Sequence, residues 1–180
     1  MTGRMIIFVG PSGVGKDSVI AALLRARPEI TWVKRAITRP HDDGSEPQTL
    51  MTEDEFLDAK ASGDFCMTWQ SHGLHYGVPR TVLDQLAMGQ DMVANLSRTM
   101  LPEARRVFSD MVVFNVTASA DTLRVRLEQR GRETPEGIAA RLGRADAEIP
   151  LGVGVINVSN DGALEDTLAV VLGHLYPEKV

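Results

Sequence analysis

Met5-Ile6-Ile7-Phe8-Val9 runs without a polar break into Gly10-Pro11-Ser12-Gly13-Val14-Gly15-Lys16, and the reading of this stretch decides the fold. The apolar run does not alternate, which is the pattern of a parallel strand buried on both faces. The next segment fits G-x-x-x-x-G-K. It leads into a helical pattern in which Val19, Ile20, Leu23 and Leu24 share one face, closed by Pro28. A strand before the motif and a helix after it are the context in which such a loop cradles phosphate. Glycines let backbone N–H groups close on phosphate oxygens, and the helix N-terminus adds partial positive charge. Lys16 then reaches the outer phosphates. The candidate nucleotide-binding set is Gly10, Pro11, Ser12, Gly13, Val14, Gly15, Lys16, Asp17 and Ser18.

Asp17 stands where this motif usually carries a Ser or Thr that contributes a hydroxyl to Mg²⁺. A carboxylate is a hard oxygen ligand suited to Mg²⁺, which makes Asp17 the candidate metal residue. The alternative is an acidic residue that only complements the helix dipole.

Outward from the loop, strands and helices alternate. Ile30–Ala36 reads as a short strand and Thr38–Gln48 as a polar loop. Thr52-Glu53-Asp54-Glu55 is a capping box opening a helix through Ala59. Short strands over Gly63–Trp69 and Gly73–Val78 are joined by a turn. A helix carrying Val82, Leu83, Leu86 and Ala87 stops at Gly89. Asp91–Leu96 and Met111–Val116 are further buried strands, with a short helix near Pro102 between them. Helices are expected over Ala120–Arg130, from Thr134-Pro135-Glu136 to Ile149, and over Leu164–Leu175, with a last strand at Val153–Val158. This order implies an α/β fold, a parallel core sheet flanked by helices. Residues 37–80 break the alternation and read as an inserted small subdomain within one domain spanning 1–180.

Composition narrows the function. The chain has 180 residues, 43% hydrophobic and 24% charged, with a formal net charge of −5, which fits a globular protein able to bury a core. An acidic chain is a poor general binder of nucleic acid. No apolar run reaches the roughly 18–20 residues of a membrane span. The single cysteine, Cys66, allows no internal disulfide, and the expected compartment is the cytoplasm. Fifteen of the 19 basic residues are arginine. Its rigid fork suits phosphate, although a GC-rich coding bias explains the same excess. No Asn-Lys-x-Asp segment for reading guanine is present, and Asn95 occupies the strand position where a metal-holding Asp of large ATPases would stand. Small kinases remain.

The chain resembles the guanylate kinase superfamily over nearly its whole length. The resemblance is carried by Gly10–Lys16, Thr38-Arg39-Pro40 with Glu46, Phe56, Gly63-Asp64-Phe65, Tyr76-Gly77, Arg126-Leu127-Glu128-Gln129-Arg130-Gly131, Arg141-Leu142 and Asn160-Asp161. It implies a P-loop kinase with an acceptor-binding subdomain at about 37–80 and an arginine-bearing lid at 126–145. Two departures matter. Met67 stands where a glutamate reads guanine, and Gln48 is the nearest residue to the position of a phosphate-gripping tyrosine. Guanine's donors facing a thioether would stay unpaired, which disfavours GMP as acceptor.

Gly10–Ser18, Ile37-Thr38-Arg39, Gly73–Val78, Asn95–Arg98, Glu128–Glu133 and Asn160-Asp161-Gly162 are similar to one branch, the ribose 1,5-bisphosphate phosphokinases of phosphonate breakdown. That resemblance implies transfer of the ATP γ-phosphoryl group to the 1-phosphate of ribose 1,5-bisphosphate, with Mg²⁺, giving 5-phosphoribosyl 1-diphosphate and ADP. It implies Lys16, Arg126, Arg130 and Arg141 as catalytic cations, and Asn160 near the adenine. Arg39, Glu46, Tyr76 and Arg98 would serve the acceptor, although Arg98 also reads as a surface arginine and Asn160 as a turn former. The implied partner is a phosphorylated sugar, without nucleic acid or membrane, and a homodimer is compatible with the sequence. The alternatives are a nucleoside monophosphate kinase of altered specificity and a non-catalytic binding module of the same fold.

Overall fold

The computed structural model describes residues 2–177 except 42, 43, 45, 72, 131–148 and 150–153. Its centre is the strand β1 (Met5–Val9), every residue of which is buried. Side chains alternate across it: Met5, Ile7 and Val9 enter one apolar cluster, Ile6 and Phe8 the other. A strand that must feed two cores cannot carry polar residues on either face, which is why this run is uninterrupted.

The core sheet has the order β2 (Thr31–Trp32), β7 (Met92–Asn95), β1, β8 (Met111–Thr117), β9 (Ile156–Ser159), and every pairing is parallel. On one face lie α1 (Lys16–Ala26), α5 (Ala120–Arg130) and α6 (Leu164–Leu175). Val19, Ile20, Leu23, Leu123 and Val171 pack there against Ile6, Phe8 and Phe114. Phe8 stacks on Phe114 with ring centroids 5.2 Å apart. On the other face, α3 (Thr81–Ala87) and α4 (Leu101–Val107) contribute Val82, Leu86, Leu101 and Ala104. Each fully buried large side chain supplies roughly 1.5–3 kcal/mol against exposure, so the doubly covered sheet is the rigid platform of the molecule.

The smaller sheet is mixed, in the order β4 (Gln48–Leu50), β3 (Arg35–Ile37), β6 (Leu74–Pro79), β5 (Phe65–Ser71). β5 and β6 form an antiparallel hairpin, while β3 and β4 run parallel. Helix α2 (Glu53–Ala61) covers it through Phe56, which is fully buried and stacks on Phe65 at 4.8 Å. Its capping box is present in full, with Thr52 Oγ1 accepting from Glu55 N at 3.2 Å and Glu55 accepting from Thr52 N at 2.7 Å. Gly77 has to be glycine: a Cβ there would lie 2.7 Å from the Phe65 ring.

Three boundaries differ from the sequence expectation. The single strand expected at Ile30–Ala36 is two, Thr31–Trp32 on the core edge and Arg35–Ile37 in the smaller sheet. Val33 N still donates to Val93 O at 2.8 Å, after which the chain leaves β7 and pairs with β6 and β4. Lys34-Arg35 marks the break in the sequence, but a short polar pair does not say which strand the chain pairs with next. The polar loop ends in a strand, Gln48–Leu50, whose residues Thr49 and Leu50 are exposed and so show no alternation. The last strand is described over Ile156–Ser159, and Val153 lies outside the described residues, as do residues 134–148 of the helix expected to reach Ile149.

Candidate active site

The 10–16 loop leaves the carboxyl end of β1, the edge at which open α/β sheets bind ligands. Its glycines are clamped from three directions. Gly10 (φ +148°) faces Val116 O, 2.4 Å from where a Cβ would stand. Gly13 (φ +84°) faces Leu127 of α5 at 2.9 Å, and Gly15 (φ +94°) faces the Asn160 amide at 2.6 Å. Left-handed backbone at Gly15 caps α1 without any side-chain bond, so the first amides of the helix stay available to a ligand.

Behind the loop, Asn160 is buried, with Nδ2 donating to Val14 O at 2.7 Å and Oδ1 accepting from Thr167 Oγ1 at 2.9 Å. Arg126 spans the same region, donating from Nη1 to Val14 O at 3.2 Å and from Nη2 to Asn160 O at 2.8 Å. Asp161 ties this turn to the start of α5, accepting from Ser119 N at 2.8 Å. That bond, with those from the Thr122, Ser119 and Ser159 side chains, holds its carboxyl down at about 2. A cleft of about 400 Å³ opens between Gly13, Gly15, Ser18, Arg126, Gln129 and Leu164. Asn160 lines it too, but its side-chain amide is engaged with the loop and with Thr167.

Lys16 folds over the loop, with Nζ donating to Gly10 O and Pro11 O at 2.9 Å each. Burial pushes its ammonium down to about 8, with Asp17 and Glu46 opposing the shift and Arg98 and Arg35 reinforcing it. Three of these four, Arg35, Glu46 and Arg98, come from distant sequence to act on Lys16. Asp17, the next residue, accepts a hydrogen bond from Asn95 Nδ2 at the end of β7, while Asn95 Oδ1 is buried and accepts no hydrogen bond. The Asp17 carboxylate and the unpartnered Asn95 Oδ1 are hard oxygens of the kind that Mg²⁺ takes as ligands. Among the described residues, no group of three or more His, Cys, Asp or Glu could hold a metal.

Arg98 lies at the end of β7 and donates from Nη2 to Asn115 Oδ1 at 3.2 Å, and Asn115 in turn donates to Asn157 at 2.8 Å. Glu46 pairs with Arg35 of the smaller sheet, both side chains being only 8% exposed. Tyr76 stacks on Trp69 at 5.2 Å and 9°, and the Arg35 guanidinium lies 5.5 Å from the Tyr76 ring and 5.6 Å from that of Trp69. A further cleft runs from Asp17 and Ser18 past Trp32 to Glu46 and Pro47.

Lys16, Asp17, Glu46 and Arg98 are therefore brought together, Tyr76 borders them through Arg35, and Arg126 and Asn160 stand on the other side of the loop. Arg39 lines a separate cleft with Pro40, Met51, Glu53, Gly73 and His75. Met67 is buried in the apolar cluster with Val78 and Leu101, and Gln48 is buried at the start of β4. Arg141 and His72 lie outside the described residues, as does the side chain of Arg130. Sequence reading missed Arg35, Asn95 as the partner of Asp17, and Asn115. Each is a polar residue inside an otherwise apolar strand, and that was the available signal.

No family model matches the chain. It is 42% identical over 165 residues to ribose 1,5-bisphosphate phosphokinase PhnN of Agrobacterium fabrum, covering 90% of each chain. It is 40% identical over 165 residues to the bifunctional ribose 1,5-bisphosphokinase-thymidine phosphorylase of Cupriavidus necator, covering 91% of this chain and 28% of that longer protein. Its fold is that of guanylate kinase from Anaplasma phagocytophilum, with a TM-score of 0.70 at 20% identity over 99% of this chain and 87% of the other. No helix among the described residues is long and apolar enough to cross a membrane.

Proposed function

The chain belongs to the ribose 1,5-bisphosphate phosphokinase family, and we propose that it transfers the γ-phosphoryl group of ATP to the 1-phosphate of ribose 1,5-bisphosphate. The bond from γ-phosphorus to the β–γ bridging oxygen breaks, a bond to a 1-phosphate oxygen forms, and ADP departs with 5-phosphoribosyl 1-diphosphate as product. The attacking oxygen is already anionic, so no general base is required. Catalysis reduces to alignment and to neutralising charge on the group in flight. The observation that carries the reading is the convergence of Lys16 at the glycine loop with the buried Arg35–Glu46 pair of the smaller sheet. Donor and acceptor sites then lie in two clefts that meet at Ser18, at the carboxyl edge of the core sheet.

In this reading the loop amides and Lys16 hold the β- and γ-phosphates, and Arg126 turns from the loop carbonyls to the transferring group, joined by Arg130 and Arg141. Asp17 and Asn95 would hold Mg²⁺, which when bound would screen the phosphate charges. Arg98 and Tyr76 face the sugar phosphate, residues 37–80 form the acceptor subdomain, and 126–145 the lid. In a coupled assay, ribose 1,5-bisphosphate is expected to be turned over at least roughly 10²-fold more efficiently than GMP, the scale on which a polar site rejects a mismatched ligand. Fast GMP turnover without sugar turnover identifies a nucleoside monophosphate kinase instead.

Lys16 also gives the site a pH signature. In the free protein its ammonium loses its proton at about 8, below the usual 10.5. A bound triphosphate adds negative charge and raises that value again. Between the two values the free protein is neutral at Lys16 and the complex is protonated, so nucleotide binding takes up a proton and affinity falls as pH rises above about 8. The same depression destabilises the free fold below about 8 and is relieved towards 10.5. Calorimetry at pH 8.5 in buffers of different ionisation enthalpy is expected to show the uptake in wild type and to lose it in Lys16→Met. Equal heats across buffers for wild type would contradict this assignment.

A further inference from the structure

The Arg35–Glu46 pair is sealed but incomplete. Arg35 Nη2 donates to Glu46 Oε1, whereas Arg35 Nε and Glu46 Oε2 are both buried and have no hydrogen-bond partner. A buried ion pair kept only for stability needs its remaining donors and acceptors satisfied. A half-satisfied pair is worse than an apolar replacement. The two open atoms have opposite character, one donor and one acceptor, and they belong to directly bonded partners. They call for a ligand that presents an anionic oxygen and a hydroxyl on neighbouring atoms.

We propose that Arg35 and Glu46 form the subsite for carbons 1 and 2 of the acceptor, with Arg35 Nε donating to a 1-phosphate oxygen and Glu46 Oε2 accepting from the 2-hydroxyl. The inference rests on the ribose bisphosphate reading above and adds the part of the sugar that is recognised. In ribose 1,5-bisphosphate only the 1-phosphate has a hydroxyl on the adjacent carbon. Carbon 4, next to the 5-phosphate-bearing carbon, carries the ring oxygen. Nucleoside 5′-monophosphates lack a hydroxyl vicinal to phosphate for the same reason, so the pair also rejects them.

Position agrees with chemistry. Glu46 lines the cleft that begins at Asp17 and Ser18, directly after Lys16, so the phosphate seated there is the one facing the donor. The planes of Trp69 and Tyr76, 5.6 and 5.5 Å from the guanidinium, hold it in one orientation. A lysine has neither the fork to keep Glu46 nor a second edge for the phosphate.

The decisive comparison needs no variant: initial rates of the wild-type protein with ribose 1,5-bisphosphate and with 2-deoxyribose 1,5-bisphosphate at saturating ATP. Loss of the 2-hydroxyl is expected to lower kcat/KM by roughly 10²-fold or more, because Glu46 Oε2 stays unpaired. Arg35→Lys is expected to raise KM for the sugar at least about tenfold while the Kd for ATP stays within about twofold. Equal turnover of the two sugars, or a folded Arg35→Lys protein with wild-type sugar KM, overturns the subsite and leaves the kinase reading standing. Absence of turnover with either sugar overturns both.

Discussion

Lys16→Ala is expected to lower kcat by about 10³-fold, close to 4 kcal/mol of transition-state stabilisation, without lowering the melting temperature. The two halves of this result have separate physical origins. Lys16 is half-buried, and desolvation, not a salt bridge, dominates its charge state. Removing the ammonium removes a desolvation penalty and leaves Gly10 O and Pro11 O to water at the loop surface. Stability at pH 7 therefore holds or rises. Activity is expected to collapse because the described arginines whose charge acts on Lys16, Arg35 and Arg98, are engaged with Glu46 and Asn115. Single-turnover rates with a circular-dichroism melt test both halves. A folded Lys16→Ala protein that keeps kcat within tenfold would remove Lys16 from the chemistry. An unfolded one would show its hydrogen bonds to be structural.

The local signals were legible. An unbroken apolar strand, a glycine loop and a periodic helix follow one another within about twenty residues, and each is dictated by neighbours in sequence. The capping box at Thr52–Glu55 was readable for the same reason. What could not be read depends on partners far along the chain. Arg35 sits in a stretch that reads as one strand, and only its transfer to the second sheet sets it against Glu46, eleven residues on. Asn95 meets Asp17 across 78 residues. Asn160 was picked out, but its spacing could not say whether the amide faces a ligand or the loop; the bond to Val14 O decides that it faces the loop. Clamps on backbone carbonyls leave no pattern in sequence, since any residue can supply the carbonyl.

That distinction bears on Arg126, whose substitution by alanine is expected to lower kcat by about 10²- to 10³-fold while KM for ATP changes less than about tenfold. In the free protein its guanidinium bridges Val14 O and Asn160 O, a brace between the glycine loop and the turn after β9. A brace alone would show its loss as a lower melting temperature with little change in kcat. The guanidinium also lines the cleft with Gly13, Gly15 and Ser18, so a short swing carries it from two neutral carbonyls to the charged oxygens of a triphosphate. Bonds to an anionic phosphate add charge–charge attraction that bonds to neutral carbonyls lack, so the exchange is favoured only once nucleotide is bound. It strengthens as charge builds up in the transition state, which is why the loss falls on kcat. Arg126→Lys restores charge but not the fork, and rescue of less than about tenfold is expected. Wild-type kcat with a lowered melting temperature in Arg126→Ala would assign the residue to the fold alone and leave the transferring group to other cations.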